Sequence, residues 1–261
     1  MTADDDVEPF SNLYWDDVVD VVCAGSGPGV LAHAILCADL GLSVAFADAV
    51  SPSDLSDEDT LGYLQAMIDD LGTLTRVPGN LEVPLVRAEP EPPPVIPKKG
   101  KHAAIAPFVG SRLRDWAAQC AVSPFGVIYS GVPDGMTPMR SESGTAIGAA
   151  VLGSYRPDAD RPGPALAAWL ADQARERDIE SDGTGIQRLV FEDGRVAGAA
   201  IEGPSGVRLV RALDGVALSI GPAPGGAEWP AQPELRDIEV EVAIVSRAAS
   251  RFGRVELLQQ R

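Results

Sequence analysis

The chain has 261 residues, of which 45% are hydrophobic and 23% are charged, a composition typical of soluble globular proteins. Its formal net charge of −17 argues against binding to nucleic acid or to an anionic membrane, since both require a positive surface. The three cysteines form no CxxC pair and there are two histidines, so we expect no disulfide framework and no metal site. The acidic N-terminus has no apolar segment of the signal-peptide type, which favours a cytoplasmic protein.

The first half of the sequence opens with a compact β-α-β pattern. Residues 1–16 are predicted to be an acidic tail. Valine-rich residues 17–24 indicate a buried strand, residues 25–29 a glycine turn, and residues 28–40 a helix that ends at Gly41. Residues 42–47 predict a second buried strand, which completes the unit.

The rest of the chain alternates between helical, irregular and β patterns. Residues 61–71 and 164–177 have helical periodicity, whereas the proline-rich segment 77–160 is predicted to be an irregular flap, with a helix over 108–120 and short strands within 125–152. Short β runs separated by glycine turns predict an antiparallel meander and a following strand over 186–221, and 236–246 a final strand. These patterns predict one domain over 17–261, an α/β Rossmann-like fold with a mainly parallel sheet, helices on both faces and the meander at one end.

The glycine turn nearly matches a dinucleotide-binding fingerprint, G-x-G-x-x-G. Gly25 allows the chain to leave the strand sharply, and Gly27 allows a pyrophosphate to approach the backbone at a helix start. Asp48, 23 residues after Gly25, lies where a carboxylate binds ribose hydroxyls. The third glycine is replaced by Val30, and a glycine occurs one residue earlier, at Gly29.

Two segments together resemble a known family. "DVVCAGSGPGVLAHAILCADLGLSVAFADA" and "PALAAWLADQARERDIESDGTGIQRLVFEDGRVAGAAIEG", followed by "ALDGVALSIGPAPGG", resemble FAD-dependent oxidoreductases of the fumarate reductase and 3-ketosteroid dehydrogenase type. The resemblance covers less than half of the chain. It implies an FAD-binding fold and a reaction on an activated C–C bond, with a steroid-like or dicarboxylate substrate. It also implies the cofactor-binding residues Gly25, Ser26, Gly27, Pro28, Gly29, Asp48, Ile186, Ser219 and Gly221.

The sequence also departs from this family. The segment after Asp48 has no glycine pair, no Gly-Asp motif follows Gly226, and residues 61–163 are too few for the family's substrate-capping domain. These features indicate a reduced member. They leave open a degenerate, non-catalytic subunit that forms a homodimer or supports a catalytic partner. An NAD-dependent dehydrogenase is a weaker alternative, because a meander after a helix is a flavoprotein feature.

A catalytic residue is not defined by any motif. Tyr129, between apolar and small residues in "GVIYSGV", is the candidate, since a tyrosine hydroxyl can donate a proton to an enolate or carbonyl. The alternative is an ordinary half-buried tyrosine.

Overall fold

The computed structural model describes residues 14–48, 57–69, 71, 81–91, 110–133, 135–181, 185–219, 229–248 and 250–260. It contains eleven strands and four α-helices in these ranges. The strands are β1 (Asp17–Ala24), β2 (Val44–Ala47), β3 (Leu85–Pro90), β4 (Gly126–Tyr129), β5 (Thr137–Ser141), β6 (Ala146–Tyr155), β7 (Gly185–Glu192), β8 (Arg195–Gly203), β9 (Gly206–Leu218), β10 (Val240–Ser246) and β11 (Phe252–Gln260). The helices are α1 (Pro28–Asp39), α2 (Glu58–Asp69), α3 (Gly110–Val122) and α4 (Pro162–Arg175).

The first part of the fold is a mixed sheet around β1. This strand lies between β2 and β9 and is parallel to both. The meander pairs β7 with β8 and β8 with β9, all antiparallel. The long strand β9 pairs with β8 near its start and with β4 near its end. The predicted β-α-β unit and meander are therefore present as local elements.

The second part is a closed barrel of five strands. The pairings run from β10 to β6, β5, β3 and β11, and β11 pairs again with β10. All of these pairings are antiparallel except β3 with β11. The barrel joins the mixed sheet because β11 also pairs with β4.

The predicted fold class is therefore wrong. The described residues are 43% strand and 26% helix, and a closed barrel beside a mixed sheet replaces the expected mainly parallel Rossmann sheet. Of the eleven pairings among described strands, three are parallel. Residues 77–160, expected to be an irregular flap, contribute β3, β4, β5, β6 and α3. The C-terminal pattern continues into β11, which the sequence analysis did not predict.

Three apolar clusters hold these parts together. The first packs α1 and α4 between β1 and the outside of the barrel, and the second lies between the β1–β2 sheet, α2 and the meander. The third fills the barrel, where Trp116 of α3 is buried and donates a hydrogen bond from Nε1 to the Phe252 carbonyl (3.0 Å). None of the described helices combines the length and hydrophobicity needed to cross a bilayer.

Candidate functional site

The glycine turn connects β1 to α1 at the carboxyl ends of the parallel strands. The Gly25 N–H donates to the Ala47 carbonyl at the end of β2 (2.9 Å), and Ser219 N–H donates to the Ala24 carbonyl (2.9 Å). Gly25 has a φ of +134°, which a residue with a side chain rarely adopts. Gly27 is the N-cap of α1 and Pro28 occupies the first helical turn. The turn thus has the backbone course that the sequence predicted.

Each glycine of the turn is packed closely against another segment. A Cβ at Gly25 would collide with the Ser219 backbone oxygen, and one at Gly27 would collide with Ser219 Oγ. A Cβ at Gly29 would collide with the Phe125 and Gly126 carbonyls, which lie just before and at the start of β4. Internal packing therefore requires these glycines whether or not a ligand binds.

Val30, at the position of the missing third glycine, is completely buried in the first apolar cluster. In the fingerprint, the third glycine allows close packing between helix and strand. Here Gly29 provides the close approach, toward β4, while the Val30 side chain fills the core. The substitution is accommodated by the fold.

A cleft of about 410 Å³ opens beside the turn. One wall is the turn with Leu31 and the end of β2, including Asp48, and the other is α4. The small side chains Ala167, Ala171 and Ala174 of α4 face the cleft, together with Arg175. We call this the turn cleft. Its volume lies in the range of small-molecule sites, about 300–1,000 Å³.

An ion pair joins the end of α4 to the end of α1, beside their packing in the first apolar cluster. Arg177, just after α4, donates from Nε and Nη2 to the two carboxylate oxygens of Asp39 (2.7 and 3.1 Å). Fork-shaped pairs of this kind fix geometry as well as adding energy. They hold the two helices side by side, and the turn cleft lies between them.

The groups in the turn cleft suit a phosphate and a sugar. No side chain caps the N-terminus of α1, so its first N–H groups are available to an anion, which the helix dipole also favours. Asp48 is exposed at the end of β2 and offers carboxylate oxygens to hydroxyl groups. Arg175 supplies a positive charge on the opposite wall, where it also pairs with Asp172. Among the described residues, no group of three or more His, Cys, Asp or Glu could hold a metal ion.

The structure brings together most, but not all, of the expected cofactor residues. Gly25, Ser26, Gly27, Pro28 and Asp48 line the turn cleft, whereas Gly29 packs behind it. Ser219 lies beneath Gly27; its buried Oγ has no hydrogen-bond partner among the described residues. Ile186 is buried in the second cluster, paired with Ile201, and does not line the cleft. Gly221 lies outside the described residues.

Tyr129, the catalytic candidate, lies in a different place. It is 4% exposed, its ring contacts His33 edge-to-face (4.8 Å), and its hydroxyl has no partner in the described part of the chain. Burial raises the pKa of this hydroxyl well above its usual value. Tyr129 lines a second cavity, described below, and no wall of the turn cleft.

Sequence reasoning missed Arg175 and the alanines of α4. The spacing of Ala167, Ala171 and Ala174 puts them on one helix face, a pattern visible in the sequence. Nothing in that pattern indicates which element the face contacts. Only the packing of α4 beside α1 makes it a wall of the turn cleft.

Comparisons with known proteins give likenesses to solved structures alone. No family model and no curated protein matches the chain. A similar solved structure is a 3-ketosteroid-Δ4-(5α)-dehydrogenase from Rhodococcus jostii in complex with 4-androstene-3,17-dione, at 17% identity and a TM-score of 0.33. The match covers 80% of this chain and 47% of that enzyme, so the chain spans about half of its length. The enzyme is of a type that the sequence resembles, but a likeness at this TM-score carries no argument.

Proposed function

We propose that this chain binds FAD, with the adenosine diphosphate end in the turn cleft. The observation that carries the proposal is the convergence of an uncapped helix N-terminus, Asp48 and Arg175 on one cleft of suitable volume. The choice of FAD rests on the sequence resemblance, because these groups would serve any adenine dinucleotide.

Different residues of the turn cleft bind different parts of the cofactor. N–H groups in the first turn of α1 donate to phosphate oxygens. Asp48 accepts hydrogen bonds from ribose hydroxyls, and Arg175 offsets phosphate charge from the α4 side. When bound, the flavin supplies the hydride chemistry. By the same resemblance, an activated C–C bond in a steroid-like or dicarboxylate molecule is the proposed substrate.

The alternative is a non-catalytic flavoprotein-like subunit that forms a homodimer or supports a catalytic partner. One observation favours it. The titratable groups of the described turn-cleft wall are Asp48 and Arg175, while Tyr129 lies in another cavity. This alternative predicts a stable oligomer or partner complex by light scattering and pull-down. A monomer that recovers no partner would contradict it.

Binding is tested by titrating FAD into the purified full-length chain and following flavin fluorescence, with NAD⁺ as a second arm. We expect FAD to bind and ADP to displace it, because both occupy the adenosine end. Asp48→Asn should weaken FAD binding about tenfold or more, since it removes hydrogen bonds to a charged acceptor.

The matched control is Glu202→Gln, which removes one exposed carboxylate from β8, away from the cleft lining. It should leave FAD affinity unchanged. Failure of the chain to bind FAD, or FAD binding that ADP does not compete with, would overturn the proposal. Preferential binding of NAD⁺ would support the NAD-dependent alternative instead.

A further inference from the structure

A second cavity of about 340 Å³ lies between the later turns of α1, the adjoining strands and residues 130–133. It shares no lining residue with the turn cleft. Its volume also falls in the small-molecule range of about 300–1,000 Å³. We call it the α1 cavity.

The walls of the α1 cavity are mainly apolar. Val21 of β1, Leu36 and Leu42 around the end of α1, and Val216 of β9 supply aliphatic surface. At the edge, Leu40 is 60% exposed and Val132 is 53% exposed. Aliphatic side chains left in water around a concave apolar surface are typical of a binding site.

One charged side chain lines this cavity among the described residues, Asp214. It lies on a β-bulge of β9, where the register against β1 shifts between Val19 and Val21. Gly215, with a φ of +137°, makes the bulge possible. Ser130 fixes it: its Oγ accepts from the Val216 N–H (2.9 Å), and its N–H donates to the Val216 carbonyl (2.8 Å). The backbone at Asp214 is therefore held in position by the fold, and the Asp214 side chain is exposed.

No described positive charge neutralises this carboxylate. Asp214 makes no hydrogen bond or ion pair to another residue in the described part of the chain. The neighbouring imidazole of His33 stays neutral near pH 7, because burial lowers its pKa to about 4. Burial, with added repulsion from Asp214 and Asp20, raises the pKa of Cys37 to about 12, so this thiol is neutral too. Among the described residues, the cavity thus combines apolar walls with one exposed carboxylate that pairs with no positive side chain.

We propose that the α1 cavity binds a small apolar molecule that carries one protonated amine. The ammonium group lies at Asp214 and the hydrocarbon body packs on Leu36 and Val216. Asp214 is exposed, so its ion pair with the ammonium stays solvated, and burial of the hydrocarbon body supplies the rest of the binding free energy. The net charge of −17 also raises the concentration of cations near the surface. This inference is independent of FAD binding, because the two sites share no lining residue.

The test uses three probes of similar shape: benzylamine, benzyl alcohol and benzoate. Each is titrated into the ¹⁵N-labelled full-length chain, and amide shifts of Leu36, Val132 and Val216 are followed by NMR. We expect benzylamine to bind about threefold more tightly than benzyl alcohol, because it alone forms an ion pair with the exposed Asp214 carboxylate. Benzoate should bind most weakly, since the carboxylates repel.

Three variants separate this site from general effects. Asp214→Asn should remove the preference for benzylamine over benzyl alcohol. Gly131→Leu should abolish binding of both probes. Gly131 lines the cavity, and a Cβ there has no atom within 4 Å, so a leucine side chain fits without a clash and fills part of the cavity. Gly62→Leu is the matched control on α2, where a Cβ is equally free. Asp48→Asn removes a carboxylate from the other cleft and should leave benzylamine affinity unchanged.

Several outcomes would overturn the proposal. These are equal affinities for the three probes, a benzylamine preference that survives Asp214→Asn, binding that survives Gly131→Leu, and no shift with any probe at millimolar concentration. Loss of benzylamine binding in Asp48→Asn, with the fold retained, would place the amine in the turn cleft instead. Each result is obtained without FAD, so failure here is distinguishable from failure of the proposed function.

Discussion

At the scale of single residues, the glycine turn shows how one pattern can have two physical causes. A fingerprint predicts glycine where a phosphate approaches the backbone, and the same glycines are required where two segments pack without room for a Cβ. In this chain Ser219 packs against Gly25 and Gly27, and the segment at Phe125 and Gly126 packs against Gly29. The glycines therefore define the turn, while Asp48 and Arg175 carry the argument for a ligand.

Val30→Gly tests whether Val30 is needed for core packing or replaces a glycine that the cofactor site once used. We expect it to lower the free energy of unfolding by about 3 kcal/mol, because a fully buried valine is lost and a helical glycine is gained. FAD affinity should not rise. The measurement is urea denaturation followed by circular dichroism, beside the FAD titration.

Val207→Gly on β9 is the control for this prediction, because Val207 is 48% exposed. It should lose about 1 kcal/mol or less, the backbone effect of glycine alone. A Val30→Gly protein as stable as the unmodified chain, or one with much tighter FAD binding, would show that the position is a decayed part of the cofactor site.

At the scale of elements, the start of α2 links a helix cap to the meander. Asp57 accepts hydrogen bonds from the Thr60 backbone N–H (2.9 Å) and from Thr60 Oγ1 (2.6 Å). The same Oγ1 accepts from the Leu189 N–H of β7 (2.8 Å). Thr60 is buried, so its hydroxyl satisfies a strand donor that water does not reach. This connection fixes α2 against β7.

Asp57→Ala should therefore destabilise the protein by about 1 kcal/mol at pH 7, as expected for loss of an N-cap. Hydrogen bonding from Thr60 lowers the pKa of the Asp57 carboxyl below its ordinary value. Its contribution is thus present above the unfolded pKa of about 4 and is lost as pH falls through the lower folded pKa. The stability difference between the two proteins should shrink toward pH 3, measured by urea denaturation over pH.

Asp69→Ala, at the other end of α2, serves as the comparison. A carboxylate at a helix C-terminus opposes the helix dipole, so its removal should not destabilise the protein. A pH-independent difference for Asp57→Ala would contradict the capping role.

The elements also show where local patterns are informative. The helices α1 and α4 begin with proline in the first turn and have recognisable apolar faces, so their positions follow from the sequence. The barrel strands β10 and β11 are buried along most of their length, because one face meets the barrel interior and the other meets the first cluster. Such strands lack strict alternation, and their antiparallel pairing is not evident from the sequence.

At the scale of the whole molecule, the barrel and the mixed sheet form one hydrogen-bonded system. Strand β11 belongs to the barrel and pairs with β4, which pairs with β9 of the mixed sheet. The first apolar cluster contains Cys23 and Val30 from one part and Val242 and Leu257 from the other. The two parts are therefore joined by strand pairing and by the first apolar cluster.

We therefore expect the two parts to unfold in a single transition. Trp116 reports on the barrel, and Trp15, whose Nε1 donates to Glu192 of β7 (3.3 Å), reports on the meander. With 5-fluorotryptophan incorporated throughout, the ¹⁹F signals of both residues should disappear at the same urea concentration. Two separate midpoints would show that the barrel unfolds independently.

The β-α-β unit, the meander, the turn and the position of Asp48 follow from local sequence patterns, because all of these depend on residues close together in the chain. The sequence did not determine the barrel, whose strands β3, β6 and β11 come from distant segments. Nor did it place Arg175 opposite Asp48 or Asp214 beside an apolar cavity. Those arrangements depend on which buried faces pack together, and tertiary structure alone decides that, because apolar surface is attractive without being directional.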